Sequence, residues 1–562
     1  MDSEQQIGVQ DTRPEPGRSR ESLAPKRFDS AFRLVLVLIV LALAFETTLL
    51  HPAPGQLSHD EAISLLAMTG HERDYGVEEG ELQSLARIHA FTELDPDRGA
   101  LDVLKSLSER DVHPPLYFLS ARAWLRLHSI APSVAQKQQL MNRVDYALSV
   151  EIWLTRWSGL LVFLAAALLL AAGYFLPGTL GLGFIAGAAF FSVNYYVEAQ
   201  AYNLRQYALL LFWSACILVL LVYRIRARPG RRLIYLDIAL GLVGALGLLT
   251  QYLFGSVMLG VACALLLNHP HSWRSNLCSL ARVAAVSSVI FMPWLVYARS
   301  AFSRTPGHLV DAGLGLMGTL HWLDIRVEQY WGRAPASWPE YTEPFLLLIL
   351  VVFALTQKRV RAPAIVLAVC FAFPLAIDLF SSSNLLRSHN VAVAAIPISM
   401  VVLCFVILVL LRRAPRLAVV VLIIASAGFG LLHKGPDIHD RWVNAGRSLS
   451  AAMDAESGPS LVVINSPGRG DLLRRTRYLP SNADLVYYPG PSLAQELLHF
   501  GEYRHILLIR VARPCCGRRY PRLTRKNLRD VDDSLRLLGA RPVKTRGKSI
   551  GGWTLYSRLP GG

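Results

Sequence analysis

Asp60 and Glu61 follow His59 shortly after a long apolar run, an unusual place for two adjacent carboxylates. In such a pair one group can take a proton from a hydroxyl while its neighbour gives electrostatic support or helps hold a divalent metal. A nearby low dielectric would raise a carboxylate's pKa, which suits a base. The same residues also read as a helix start. Ser58 or Asp60 would be the N-cap, the acids would sit in the first turn, and Ala62, Ile63, Leu66 and Ala67 would form the apolar face. Both readings can hold at once.

Four further clusters join it. In Asp111-Val112-His113-Pro114-Pro115-Leu116-Tyr117, proline at a helix start is pre-set in φ and lacks an N–H that would be orphaned there. The plain reading is a rigid helix entry with a structural histidine. The run from Tyr195 to Tyr207 holds Tyr196, Glu198, Gln200, Tyr202, Arg205 and Gln206 between two apolar stretches. That is too polar for lipid contact and suits a cavity. Gln251-Tyr252 interrupts another apolar pair, and Ser381 to Asn390 contains Arg387 and His389. An arginine there could bind a phosphate bidentately or simply snorkel to the membrane interface.

The elements that must position these clusters are mostly apolar helices. The chain has 562 residues, 53% hydrophobic and 17% charged, where globular domains average about 25% charged. Disorder, collagen and a disulfide-stapled scaffold are excluded. Eleven stretches are long enough, or nearly so, to span a bilayer: 33–50, 152–176, 179–197, 204–223, 233–250, 253–268, 281–297, 343–356, 363–380, 391–411 and 416–432. A twelfth, 115–128, is short and carries Arg122 and Arg126. Residues 224–232, 269–282, 357–361 and 412–416 together hold thirteen basic residues and no acid. All four loops fall on one side only if 115–128 does not cross, and that side is then the cytoplasm. The N-terminus is cytoplasmic in this arrangement, and all five clusters lie on the exoplasmic face.

The expected fold class is a polytopic α-helical membrane protein of about eleven transmembrane helices with a small C-terminal exoplasmic α/β domain. Residues 1–32 read as a disordered cytoplasmic tail, 33–432 as the transmembrane domain and 433–562 as the soluble domain. Within the membrane part, 51–114 and 298–342 are exoplasmic loops, the second with an interfacial helix from Leu314 to Trp331. In the soluble part, 461–465, 483–488 and 505–511 look like strands and 491–500 like a helix. The absence of any Asn-x-Ser/Thr sequon favours a bacterial inner membrane over a eukaryotic lumen. The net charge of +16 does not point to nucleic acid. Residues 60–112 carry thirteen acids and five basic residues, whereas 433–562 carry twenty-two basic residues and eleven acids. The basic excess outside the loops therefore sits where membrane lipids or a glycan would meet it.

In order, the motifs are one span, an exoplasmic Asp-Glu, His113-Pro114-Pro115-Leu116, the Arg-led Arg156-Trp157-Ser158-Gly159-Leu160, and Tyr195-Tyr196-x-Glu198-x-Gln200-x-Tyr202. This resembles the GT-C class of membrane glycosyltransferases, in the branch of protein O-mannosyltransferases and bacterial aminoarabinose transferases. The resemblance covers roughly 33–432, and the C-terminal domain resembles the periplasmic domain of many bacterial members. It implies a polyprenyl-phosphate-linked sugar donor and a lipid, glycan or protein acceptor whose hydroxyl attacks the anomeric carbon with inversion. By position, Asp60 would be the general base, Glu61 its partner and His113 a residue lining the site. Arg205 and Arg387 would contact the lipid phosphate, with His389, Tyr196, Glu198, Gln200, Tyr202, Gln251 and Tyr252 around the donor. A divalent metal, if used, would fall to Asp60 and Glu61. The chain departs from the pattern at Gln251-Tyr252, where His-Tyr is often found, and at Arg387-Ser388, where Arg-Tyr is frequent. The competing functions are a lipid-linked-sugar flippase or other transporter, against which no paired half-sequences are visible, and a receptor whose membrane part is only an anchor.

Overall fold

A computed structural model describes residues 23–50, 58–72, 74–76, 80–109, 113–128, 143–228, 230–267, 273–299, 315–331, 342–381 and 391–432. In the C-terminal part it describes 451, 458–465, 472–473, 476–479, 482–487, 502–510, 533–537, 540–542 and 553–558. The expected helix 491–500, and Arg387 and His389, lie outside the described residues.

All eleven apolar stretches are helical. They are α1 (Leu23–Phe45, continued by a π-helical turn Glu46–Leu50), α6 (Arg143–Phe175), α7 (Gly178–Val193), α9 (Tyr207–Arg226), α10 (Arg231–Leu248), α11 (Gly255–Leu267), α12 (Trp273–Tyr297), α14 (Thr342–Thr356), α15 (Arg361–Ser381), α16 (Ile396–Leu410) and α17 (Pro415–Leu432). By length and composition, six of the described helices can each cross a membrane. A seventh candidate is α7 together with α8 (Tyr195–Tyr202), a pair bent by 59°. The segments 252–267, 344–356 and 415–428 are apolar but shorter. Length alone therefore supports six or seven crossings, not the full eleven. The bend has a local cause: Asn194 is extended, and its side-chain oxygen accepts the backbone N–H groups of Tyr196 and Val197. An asparagine cap restarts the helix and redirects it.

The helices pack through small residues, as membrane bundles do. A Cβ at Gly187 of α7 would lie 2.8 Å from the Val401 Cα of α16. The expected helix in the second loop is present as α13 (Gly315–Trp331).

The segment after α1 forms a small helical layer: α2 (His59–Thr69), α3 (Leu85–Ala90), α4 (Ala100–Glu109) and α5 (Leu116–Leu127). Arg122 explains why 115–128 carries charge. Buried in α5, it donates to the carbonyls of Met68 and Thr69 at the end of α2 and to those of Asp95 and Arg98. Burial holds its guanidinium down to about 10, still a cation at neutral pH.

The sheet contains β1 (Gln83–Ser84), β2 (Ser460–Asn465), β3 (Asp484–Tyr487), β4 (His505–Arg510), β5 (Ala540–Pro542) and β6 (Trp553–Arg558), in the spatial order β1-β3-β2-β4-β6-β5. β2 runs parallel to β3 and β4, and the outer pairings are antiparallel. Strands β2, β3 and β4 match the expected ones, while β5 and β6 extend the sheet beyond them. Side chains alternate across a strand. One face therefore buries Leu461, Val463, Ile506 and Leu508. The other buries Val462, Ile464, Leu507 and Ile509 together with Ala62 and Leu66 of α2 and Leu85 and Ile88 of α3. β1 comes from the first loop and pairs with β3, Gln83 opposite Leu485 and Ser84 opposite Asp484.

Candidate active site

The head of α2 is built by a capping box. Ser58 Oγ accepts the Glu61 N–H at 3.2 Å, and Glu61 Oε2 accepts the Ser58 N–H at 2.6 Å. At its other end Gly70 closes the helix at φ 79°, a left-handed conformation that glycine takes without strain. The capping reading of the sequence is therefore correct, and Glu61 does more than cap. Its second oxygen, Oε1, accepts the N–H of Leu204 at 2.8 Å, pinning α2 to the turn between α8 and α9. Glu61 is buried, and burial raises its pKa above the usual carboxylate range despite these hydrogen bonds, with the charge of Glu151 adding to the rise.

Asp60 points the other way. Its side chain is 56% exposed, and Oδ2 accepts from Arg205 Nη1 at 2.7 Å. Arg205 is 16% exposed and also lies over the Tyr207 ring, 5.3 Å from its centroid. The structure thus joins the first sequence cluster directly to the third. Tyr202 of the third cluster donates to the Thr47 carbonyl at the end of α1. The second and fourth clusters meet through backbone: the Leu116 N–H bonds the Leu249 carbonyl, just before Gln251-Tyr252. His113 stands edge-on to Phe118 at the entry of α5. The Tyr252 hydroxyl accepts from Trp294 Nε1 at 2.9 Å. Tyr196 and Glu198 fall in the first turn of α8, the short helix that leads to this junction.

Gln200, Gln206 and Gln251 are buried, and among the described residues their side-chain oxygens have no hydrogen-bond partner; the same holds for Asn203 Oδ1. Buried amide oxygens ordinarily find donors. These four would suit a hydroxyl-rich ligand.

A divalent metal at Asp60 and Glu61 would have to compete with partners that both carboxylates already hold. Both Glu61 oxygens are occupied by backbone N–H groups and Asp60 faces a guanidinium. Among the described residues no group of three or more His, Cys, Asp or Glu could hold a metal ion.

Glu151, Arg477 and Tyr478 had no place in the sequence reading, and Tyr117 entered it only as the end of the second cluster. Tyr117 is fully buried at the start of α5, and burial and the nearby Glu61 charge push its hydroxyl pKa up. Glu151 of α6 is fully buried against Arg477 and Tyr478 of the C-terminal part. An acid at the mouth of an apolar run was the one available signal for Glu151.

No protein-family model matches the chain, and no curated protein matches it in sequence. Among solved structures it is similar to ArnT from Cupriavidus metallidurans bound to undecaprenyl phosphate, at 12% identity and a TM-score of 0.52, over 95% of this chain and 99% of that one. The archaeal oligosaccharyltransferase AglB from Archaeoglobus fulgidus, in complex with an inhibitory peptide and a dolichol-phosphate, aligns at 11% identity and a TM-score of 0.47, over 86% of this chain and 70% of that one. The crystal structure of the Archaeoglobus fulgidus oligosaccharyltransferase with Zn and sulfate aligns at 11% identity and a TM-score of 0.46, over 84% and 68%. At such identities the likeness is one of fold, and ArnT shares it over nearly the whole of both chains. The chain has the fold of the GT-C membrane glycosyltransferases.

Proposed function

We propose that the chain is a membrane glycosyltransferase that moves a sugar from a polyprenyl-phosphate carrier to an acceptor hydroxyl on the exoplasmic face. The observation that carries this is the Asp60–Arg205 pair at the head of a helix pinned by Glu61. A transfer of this kind needs a base for the acceptor proton and a cation for the departing phosphate. Asp60 and Arg205 supply one of each within hydrogen-bond reach. The shared fold with ArnT, whose structure holds undecaprenyl phosphate, supports the carrier.

The same pair defines the order of events. In the structure Arg205 occupies Asp60 Oδ2. A lipid phosphate competes for the guanidinium, which binds phosphate well, and Asp60 is released. The acceptor hydroxyl then gives its proton to Asp60 while its oxygen forms a bond to the anomeric carbon. The carbon–oxygen bond to phosphate breaks, its electron pair leaves with the polyprenyl phosphate, and Arg205 meets the new charge. The unpartnered amide oxygens of Gln200, Gln206 and Gln251 would accept from sugar hydroxyls. Glu61 acts as the anchor of α2 and not as a second base.

The test is sugar transfer by membranes carrying Asp60→Asn. A positioned base contributes roughly 10²–10⁴-fold, so transfer should fall by that much while undecaprenyl phosphate still binds. Unchanged transfer would end the assignment of the base.

A further inference from the structure

We infer that Glu151, clamped by Arg477 and Tyr478, is a positioning residue for the head of α2, and that the sheet is a working part of the transfer site. This rests on the reading of Asp60 as base. Glu151 Oε1 accepts from Arg477 Nε at 2.7 Å and Oε2 accepts from the Tyr478 hydroxyl at 2.6 Å. Arg477 also donates to the Ala147 carbonyl of α6. All three side chains are buried, Glu151 wholly.

The clamp is one of several joints that lead to the same helix. Leu85 N–H donates to the Ala483 carbonyl beside the β1–β3 pair, and His89 Nε2 donates to the Thr476 carbonyl, one residue before Arg477. Ala62 and Leu66, two and six residues past Asp60 on α2, lie in the same core as Val462, Ile464, Leu507 and Tyr478. α2 is therefore held from three directions: by Leu204 through Glu61, by Arg122 at its far end, and by the sheet beneath its apolar face.

The electrostatics join these contacts. The charge of Glu151 adds to the rise that burial gives the Glu61 carboxyl. Arg477 is the cation that bonds Glu151. Without it, a buried carboxylate stands uncompensated beside the residue whose two hydrogen bonds fix α2. A buried pair stripped of one partner is strongly destabilising, whereas replacing the whole group with apolar residues can be neutral. That asymmetry makes the proposal testable.

The experiment uses the full chain in detergent and reads two quantities: amide exchange over residues 58–69 and the kinetics of sugar transfer. In Arg477→Met, exchange should speed up, and kcat should fall by about tenfold or more with the donor KM within about twofold, because a small displacement of a catalytic group is costly. Tyr478→Phe, which removes a single hydroxyl, should move both readings in the same direction by less. The triple variant Glu151→Leu, Arg477→Met and Tyr478→Phe, which leaves no charge in the seam, should restore both. Normal exchange and kcat in Arg477→Met and Tyr478→Phe would overturn the proposal. So would faster exchange with unchanged kcat, or a triple variant as slow as Arg477→Met. The base reading fails separately: it falls if Asp60→Asn transfers normally, whatever the exchange data show.

Discussion

Arg205 has two candidate partners and one guanidinium, and this competition is the main residue-scale consequence of the site. In the structure it bonds Asp60; in the proposed reaction it bonds the lipid phosphate. A hydrogen bond to a charged group contributes about 1.5–3 kcal/mol, so Arg205→Ala should weaken undecaprenyl phosphate binding by roughly ten- to hundredfold. Arg126 is the control. It is also an arginine near this face, but it is exposed and donates to the Arg98 carbonyl. Arg126→Ala should leave donor affinity unchanged, and equal losses in both variants would remove Arg205 from the phosphate site. Asp60 and Arg205 were both legible as types in the sequence, because polar residues beside apolar runs stand out. Their pairing was not, since they are 145 positions apart.

At the scale of elements, the layer of α2 to α5 contains its own acid-sensitive joint. His71 follows the Gly70 cap, buried edge-on to Phe91, and neither ring nitrogen has a hydrogen-bond partner among the described residues. Burial first, and then the positive charge of Arg98 with that of Arg122, brings its pKa down to about 4, against the opposing pull of Asp95 and Asp74. The folded ring is thus neutral where an unfolded one, near 6.5, takes up a proton. Its contribution is intact above pH 6.5 and lost as the pH falls from there towards 4. Thermal unfolding of the detergent-solubilised chain should show a lower Tm at pH 5 than at pH 7.5, and His71→Phe should reduce that difference. Identical pH slopes would show that the titrating group lies elsewhere. Single elements of this layer were readable in advance. The N-cap, offered at Ser58 or Asp60 and found at Ser58, and the Pro114-Pro115 entry to α5 are local rules, and α2 and α5 obey them. What was hidden is non-local. β1 is two residues long and exists only because β3 offers it an edge. Arg477 sits in a run with Arg474 and Arg475, which reads as a solvated surface until Glu151 supplies the reason for its burial. The span 179–197 also looked continuous, because a single Asn194 does not lower the apolar content of a window although it can cap a new helix.

For the whole molecule, the helices sort the charged contacts to two ends. At the end that holds α2, Thr47 of the turn after α1 bonds the Ser192 carbonyl of α7, Leu204 and Arg205 open α9, and Leu249 closes α10. At the opposite end Arg33 of α1 donates to the carbonyls of Gly173, Leu176 and Gly178 where α6 turns into α7. Asp237 of α10 is buried there between Arg224 and Arg282, at 2.7 and 2.6 Å. That single carboxylate shared by two arginines leaves its end of the bundle positive, and the surrounding loop adds Arg226, Arg228, Arg231 and Arg232. Basic residues in short loops are retained in the cytoplasm, and on that rule we propose that the end with Asp237 faces inward and α2 outward. The expectation is specific to two positions. A cysteine introduced as Arg228→Cys should react with a membrane-impermeant thiol reagent only after the membrane is opened, with the parent chain as the blank for its native cysteines. One introduced as Leu82→Cys, beside β1 and 44% exposed, should react in intact cells. The reverse pattern would place the acid–base pair in the cytoplasm, where an exoplasmic acceptor could not reach it. Labelling of both positions from the same side would break the alternation that puts Arg205 and Arg224 at opposite ends of α9.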